Sequence, residues 1–359
     1  MPISAVDSVS PALQHTKEQL FKPFHFGQWS RLALVGLLAG ELSSGGGCSV
    51  PNFSGRTGGG HRDFLFAAAH PNWALLGPLL AVAIVAVPIL WLLFMYLNSR
   101  MRFVLFDSII AKHCEVGKMW HARREPAFQY FIWQIVFSLA MLAGFAVLVG
   151  IPAFIAFLLG WFTAPKQHLI PLILGGICVF FLFFAWTLFS IVIHVFTKDF
   201  VIPQMALENI SAFEGWRRLW QMLLVEKGSY AGYGGMKLIL ALAAAFGVGI
   251  LTLIVAIILL IPFGGLGAIA VIAGKTAGLT WNVFTITAVV VAGSIFVLIL
   301  LYAISLVSVP VIVFFPAYSI YFFAARYWRL GTLIYPPPPP PPAAPFIPPP
   351  IPPAPEPIG

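Results

Sequence analysis

The sequence predicts an all-α integral membrane protein with about six transmembrane helices, arranged as three two-helix hairpin repeats that are each followed by a cytoplasmic interfacial helix. Composition is the first observation behind this prediction. Of the 359 residues, 60% are hydrophobic and 9% are charged, whereas a water-soluble domain carries roughly 25% charged residues. The second observation is a series of long uncharged segments, and the third is the alternation of cation-rich and cation-poor segments between them.

The predicted membrane domain covers residues 27–330. A helix needs about 20 apolar residues to cross the hydrocarbon core, where its backbone must satisfy its own hydrogen bonds. Five segments meet this requirement and a shorter one precedes them, so the predicted spans are residues 27–44, 73–97, 128–160, 169–196, 238–262 and 283–309.

The first span is the shortest because Arg31 and Glu41 enclose only nine uncharged residues. It crosses only if these two side chains reach opposite interfaces. A cleaved signal peptide is the alternative, which Glu41 and the long preceding segment disfavour. We therefore expect a retained span.

Prolines subdivide three of the later spans. Pro152 predicts a kink, and Pro262 with the following glycines predicts a break in the fifth span. Pro310 and Pro316 predict the end of the membrane part of the last span.

The distribution of cations orients the spans. Sixteen of the 20 Lys and Arg residues lie in the N-terminal segment up to Arg31, the loops 98–127 and 197–237, and the C-terminal end. Residues 45–72 form a glycine-rich loop on the other side. This alternation is typical of a plasma membrane protein, here of the bacterial inner membrane, with an N-terminal arm (1–26) and a C-terminal tail in the cytoplasm. The basic charge then indicates contact with the bilayer and its anionic headgroups rather than with nucleic acid.

The two large cytoplasmic loops resemble each other. Each begins with Phe-Val and continues to a Trp, an Arg-Arg pair and a Tyr. The starting residues Phe103 and Phe200 are 97 positions apart, and a shorter third copy begins at Val313. Because each copy follows a span of the same direction, we expect parallel hairpin repeats.

Residues 212–225 predict an amphipathic helix. Ser211 and Glu214 have the spacing of a capping box, and Glu214 is spaced to pair with the arginines that follow. A structural helix packed on the span ends is one interpretation, and a lipid-headgroup or partner site is the other. The candidate contact residues, with the arginine pair of the first loop, are Trp216, Arg217, Arg218, Trp220, Arg123 and Arg124.

The run from Asp199 to Asn209, DFVIPQMALEN, followed by Trp216-Arg217-Arg218, resembles the membrane domains attached to some bacterial glycerophosphodiester phosphodiesterases and related multi-pass bacterial membrane proteins of unknown function. The resemblance covers about 50 residues. The soluble catalytic domain of those enzymes has no counterpart in this sequence. The resemblance therefore implies a membrane module without phosphodiesterase activity.

Motifs for catalysis or cofactor binding do not stand out in the sequence. There is no Walker loop, HExxH or GxSxG motif, and His194 has no partner histidine at a similar depth for a haem. Neither a metal site nor another cofactor is predicted. The span centres lack charged residues, which disfavours ion-coupled transport. We expect Asp107, Asp199 and Glu208 to form interfacial salt bridges with nearby cations.

These features favour a non-enzymatic accessory or scaffolding subunit of a larger membrane assembly. The alternative is a permease or lipid-handling membrane protein, which the hairpin repeats and the predicted break at Pro262 favour. The tail, residues 331–359, is dominated by proline and predicts a polyproline II segment. Such a segment is either a stiff extension or a docking strip for a membrane protein partner.

Overall fold

The computed structural model describes residues 4–41, 73–162, 166–276, 278 and 283–335. The glycine-rich loop 45–72 and the tail from residue 336 onward lie outside the described residues. Regular secondary structure in the described part is helical, and the helices are α1 (Val9–Phe21), α2 (Phe26–Leu38), α3 (Trp73–Ile110), α4 (Val116–Ala122), α5 (Arg124–Phe145), α6 (Ile151–Leu158), α7 (Leu169–Phe196), α8 (Ile202–Glu208), α9 (Ala212–Val225), α10 (Lys227–Thr276), α11 (Val283–Ala324) and α12 (Trp328–Ile334).

Five helical segments in the described part of the chain are long and apolar enough to cross a membrane. They are Ile84–Ile110, Arg124–Leu158, Leu169–Glu208, Lys227–Gly274 and Phe284–Ala324. These lengths and compositions confirm the prediction of an all-α protein capable of spanning a membrane. The described part of the first predicted span, 27–44, is not among them.

Two of these segments contain a π-helical turn, at Ala146–Gly150 between α5 and α6 and at Thr197–Val201 between α7 and α8. Each turn ends two residues before a proline, Pro152 or Pro203. A proline ring clashes with the carbonyl four residues earlier, and widening the preceding turn relieves this clash while the helix continues. Pro152 therefore produces a π turn in a continuous helical segment.

Pro262 does not break the fifth predicted span. The α10 helix is continuous from Lys227 to Thr276, so the prediction of a break is wrong. In an apolar segment a proline removes one backbone hydrogen bond, whereas leaving the helix exposes several unpaired backbone groups to lipid. The same reason applies to Pro310 and Pro316, which both lie inside α11.

Three helical segments change from an exposed half to a buried half along their length. Residues 82–94 of α3, 169–192 of α7 and 284–299 of α11 are largely exposed and apolar. Most of the residues that follow, 98–110, 197–206 and 305–324, are buried. We call these three buried segments, which share one hydrophobic core, the junction. The helices α1 and α2 and the first turns of α5 and α10 pack around it.

The α2 helix has 13 residues, which span about 20 Å at 1.5 Å per residue. It packs against α11 and α3 rather than standing alone: Trp29 Nε1 donates to the carbonyl of Leu306 at 2.9 Å, and Asn98 Nδ2 donates to that of Leu38 at 3.1 Å. Glu41 is 2% exposed and pairs with Lys198. Glu41 thus lies inside the protein, where the Lys198 ammonium compensates its charge. Whether residues 27–44 cross the membrane stays a prediction.

The first two predicted repeat copies show the same local features. Lys112 and Asn209, 97 positions apart, both adopt left-handed backbone conformations, with φ of 56° and 58°, and each follows the end of a junction helix. Phe103 makes an edge-to-face contact with Tyr130 at 6.1 Å between ring centroids. Phe200, the equivalent of Phe103, makes the same kind of contact with a tyrosine of α10 at 5.3 Å.

Candidate functional site

The junction contains buried ion pairs. Asp199, at the π turn that follows α7, is 2% exposed. Its carboxylate pairs with Lys237 of α10 and accepts a hydrogen bond from the Tyr233 hydroxyl at 2.9 Å. Lys198, the preceding residue, pairs with Glu41 beyond the end of α2. Two consecutive residues thus connect the second junction segment to two different helices through charge-assisted hydrogen bonds.

A small cavity of about 30 Å³ lies beside these pairs. Its wall includes the charged residues Glu41, Arg102, Lys198 and Asp199, together with apolar residues of α3, α8 and α11. Arg102 is 5% exposed and donates from Nη2 to the carbonyl of Ala39 at 2.8 Å. The cavity is therefore lined by all three junction segments and by Glu41, three residues beyond the end of α2.

A second network joins the end of α8 to the C-terminal part of the chain. Glu208 pairs with Arg218 of α9 at 2.7 Å and with Arg329 of α12 at 3.4 Å. It also accepts a hydrogen bond from the Tyr327 hydroxyl. Burial and the hydrogen bond to Glu208 raise the pKa of Tyr327, so this hydroxyl is a donor at neutral pH.

Arg123 joins the first two loops. Its guanidinium pairs with Asp107 of α3 at 3.2 Å and donates to the carbonyl of Ala206 in α8. Arg124, the next residue, is exposed. The two members of the first Arg-Arg pair therefore have different surroundings, one between helices and one at the surface.

The predicted amphipathic helix is present as α9, and Ser211 Oγ accepts from the backbone N–H of Glu214 at 3.3 Å. Glu214 also pairs with Arg217 at 2.9 Å and with Arg218 at 3.1 Å. The hydrogen bond from Arg218, and after it that from Arg217, lowers the pKa of the Glu214 carboxyl. The expected pairing of Glu214 with the arginines is therefore observed for both Arg217 and Arg218.

The apolar residues of α9 divide into two groups. Ala212, Gly215 and Leu219 are buried against the protein. Trp216 is partly buried and donates from Nε1 to the Thr197 hydroxyl at 2.9 Å. Phe213, Trp220 and Leu224 form an exposed stripe, with exposed fractions of 60%, 58% and 51%. The helix therefore packs on the junction and still presents apolar side chains outward.

The exposed stripe lies close to the end of a long helix. The Phe213 ring makes an edge-to-face contact with Trp133 of α5 at 4.9 Å between centroids. Arg217, whose side chain is 73% exposed, is on the same helix. Of the six candidate contact residues, Trp220, Arg217 and Arg124 are exposed, whereas the other three make the protein contacts described above.

The expected salt bridges of Asp107, Asp199 and Glu208 form, but with other partners than the nearest cations in sequence. Arg100 and Arg102, near Asp107 in sequence, pair with none of these acids among the described residues. Sequence reasoning missed Tyr233, Lys237 and Tyr327 as partners. The signal that could have found two of them is their spacing on α10, since residues four apart lie on one helix face.

In the part of the chain that the structure describes, no group of three or more His, Cys, Asp or Glu side chains is placed to hold a metal ion. Each carboxylate described above has at least one cationic or hydroxyl partner. Such groups fix helices relative to one another, and their chemistry is that of structural ion pairs.

The chain was compared with curated proteins, with solved structures and with models of protein families. Neither the search of curated proteins nor the search of solved structures found a match. The resemblance to the membrane domains of glycerophosphodiester phosphodiesterases stays a prediction. A family model described as a family of unknown function (DUF7544) matches residues 3–333. Because this match covers most of the chain, the protein belongs to that family.

Proposed function

We propose that the protein is a non-enzymatic scaffolding subunit of a larger membrane assembly. The observation that carries this proposal is the contrast between the two halves of the long helices. The junction is packed like the core of a soluble domain, whereas α7 has no buried residue in its 28 positions. The protein thus holds its helices together at one end and leaves their apolar surfaces uncovered along the rest of their length.

Uncovered apolar helices suit a subunit that receives other membrane helices. Lipid tails and apolar side chains are similar environments, so packing geometry decides helix association in a bilayer. The most hydropathic windows of Leu169–Glu208 and Lys227–Gly274 have none of their residues buried within this chain. These helices keep a few contacts with their neighbours, such as the Phe183 ring on Phe145 and the Phe263 ring on Phe296. Their remaining exposed faces are available to partner helices.

The proposed assembly lies in the bacterial inner membrane, with the junction facing the cytoplasm. Arg102, Lys198, Lys237 and Arg326 lie at the junction end of the long helices, and an end rich in cations faces the cytoplasm by the positive-inside rule. Three parallel hairpin repeats and six crossings, with both termini on the cytoplasmic side, complete the proposal. Since the five segments long enough to cross all lie after Trp73, the proposed sixth crossing precedes Trp73.

Site-specific photocrosslinking in native membranes tests the scaffold. Benzoylphenylalanine is placed at Phe181 on α7 and at Leu298 on α11, which are 63% and 65% exposed. The matched control is the same residue at Tyr233, which is fully buried and is expected to crosslink only within the chain. We expect discrete crosslinked species with the same membrane protein at both exposed positions. Adducts with lipid alone at both positions would refute the scaffold.

A further inference from the structure

The cavity at the junction has the size of a site for a small ion. One water-sized species occupies roughly 10–15 Å³ of accessible volume, so about 30 Å³ holds one or two such species. Water or a small inorganic ion therefore fits this space.

The charges around the cavity decide between these occupants. Glu41 is neutralised by Lys198 and Asp199 by Lys237. Arg102 remains, and in the described part of the chain it has no carboxylate partner: its Nη2 donates to a carbonyl, while its buried Nε and Nη1 atoms have no hydrogen-bond partner. An arginine stays charged in proteins, and a buried charge without a counter-ion is costly. Water does not neutralise it.

We propose that this cavity binds one chloride-sized inorganic anion, held by Arg102. The anion supplies the charge that the protein side chains around Arg102 lack, and it accepts hydrogen bonds from the guanidinium. It contacts all three junction segments, because the cavity wall is built from α3, from the π turn with α8, and from α11. Anion binding thus stabilises the packing of these segments.

Arg100 provides a matched control. It is 6% exposed, close to the value for Arg102, and its Nε and Nη1 atoms also lack partners in the described residues. Its guanidinium lies 4.9 Å from the centre of the Trp120 ring and not in the cavity wall. A general effect of salt on buried arginines would affect both positions, whereas a specific site affects only Arg102.

The experiment uses the full-length protein in lipid nanodiscs, in sodium chloride or sodium gluconate at equal ionic strength. Equilibrium dialysis with radioactive chloride measures stoichiometry, and thermal unfolding measures the chloride-dependent shift of the midpoint. We expect one chloride per chain and a higher midpoint in chloride for the wild type and for Arg100→Gln. Arg102→Gln is expected to lose both effects.

A second variant keeps Arg102 and fills the cavity. Ser319→Thr adds one methyl group to the wall and keeps the hydroxyl that donates to the Pro316 carbonyl at 2.8 Å. It is expected to reduce chloride binding while the protein remains folded. Absence of bound chloride in the wild type would overturn the proposal. Equal chloride binding by the wild type and by Arg102→Gln would overturn it as well, because the ion would then lie elsewhere.

Discussion

Replacing Lys237 by methionine removes one half of a buried ion pair while keeping a side chain of similar length. The carboxylate of Asp199, which is 2% exposed, would then keep the Tyr233 hydroxyl as its hydrogen-bond donor among the described side chains. Removing one partner of a buried pair typically costs about 3–5 kcal/mol, because the other charge stays buried without compensation. We expect a loss of stability in this range for Lys237→Met.

The reciprocal and double variants make this prediction specific. Asp199→Asn leaves the Lys237 ammonium unpaired and is expected to cost about 3 kcal/mol. The double variant Asp199→Asn with Lys237→Met removes both charges, and its loss should be smaller than the sum of the single losses by at least about 2 kcal/mol. The coupling arises because each single change leaves a buried charge and the double change leaves none.

Unfolding in mixed detergent micelles by increasing the fraction of sodium dodecyl sulfate gives the free energies for this cycle. The control is Lys118→Met, which breaks the ion pair between Lys118 and Glu115 at the surface. The Lys118 side chain is 84% exposed, so its loss is expected to leave stability unchanged. Additive losses in the double variant would refute the reasoning, because the two residues would then not interact in the folded protein.

Three further predictions test other parts of the structure. Gly215→Ala should lower stability by about 1–3 kcal/mol, since its Cβ would lie 2.7 Å from a valine Cγ1 of the π turn. The control Gly234→Ala meets no atom within 4 Å and should raise stability by up to about 1 kcal/mol, because alanine favours a helix. Denaturant unfolding compares the two variants. Burial lowers the pKa of His15 below its usual 6.5. The folded protein therefore disfavours the protonated imidazole, and stability that is present above pH 6.5 should be lost as the pH falls below 6.5. The midpoint of thermal unfolding should differ more between pH 7.5 and pH 5.5 in the wild type than in His15→Gln. Arg217→Glu should reduce the quenching of Trp220 fluorescence by brominated anionic lipids, because the exposed cation near the apolar stripe becomes an anion. The Trp220→Phe variant identifies which part of the fluorescence comes from Trp220.

The long helices and the cap of α9 could be predicted from the sequence because they depend on local patterns. Apolar runs determine helices in a bilayer, and Ser211 and Glu214 are only three residues apart. The similarity of the two loops could be seen because Phe103 and Phe200 stand in similar local sequences, and the backbone conformations of Lys112 and Asn209 agree with it.

The pairing of charges could not be predicted in the same way. Lys198 is 157 positions from Glu41, and nothing local specifies which cation meets which acid. The burial of α2 is also a tertiary effect, since its apolar residues would equally suit a short transmembrane segment. The continuity of α10 through Pro262 was missed because a rule for helices in water was applied to an apolar segment. If such a segment left the helical conformation, its unpaired backbone groups would be exposed to lipid.

The apolar stripe of α9 shows a third limit. Phe213, Leu219 and Trp220 fall on neighbouring positions of a helical projection, and periodicity alone assigns them to one face. The structure buries Leu219 and exposes the two aromatic residues, because the junction covers only part of the apolar surface. The residues that a helix offers to lipid thus depend on what packs beside it.

The mass of the native complex tests the scaffold most directly. Membranes that contain the protein at its natural level are extracted into polymer nanodiscs without detergent, and native mass spectrometry determines what the chain carries. The account predicts a discrete complex with at least one other membrane protein in fixed stoichiometry, and little free chain. A population consisting of single chains with lipid alone would contradict the account.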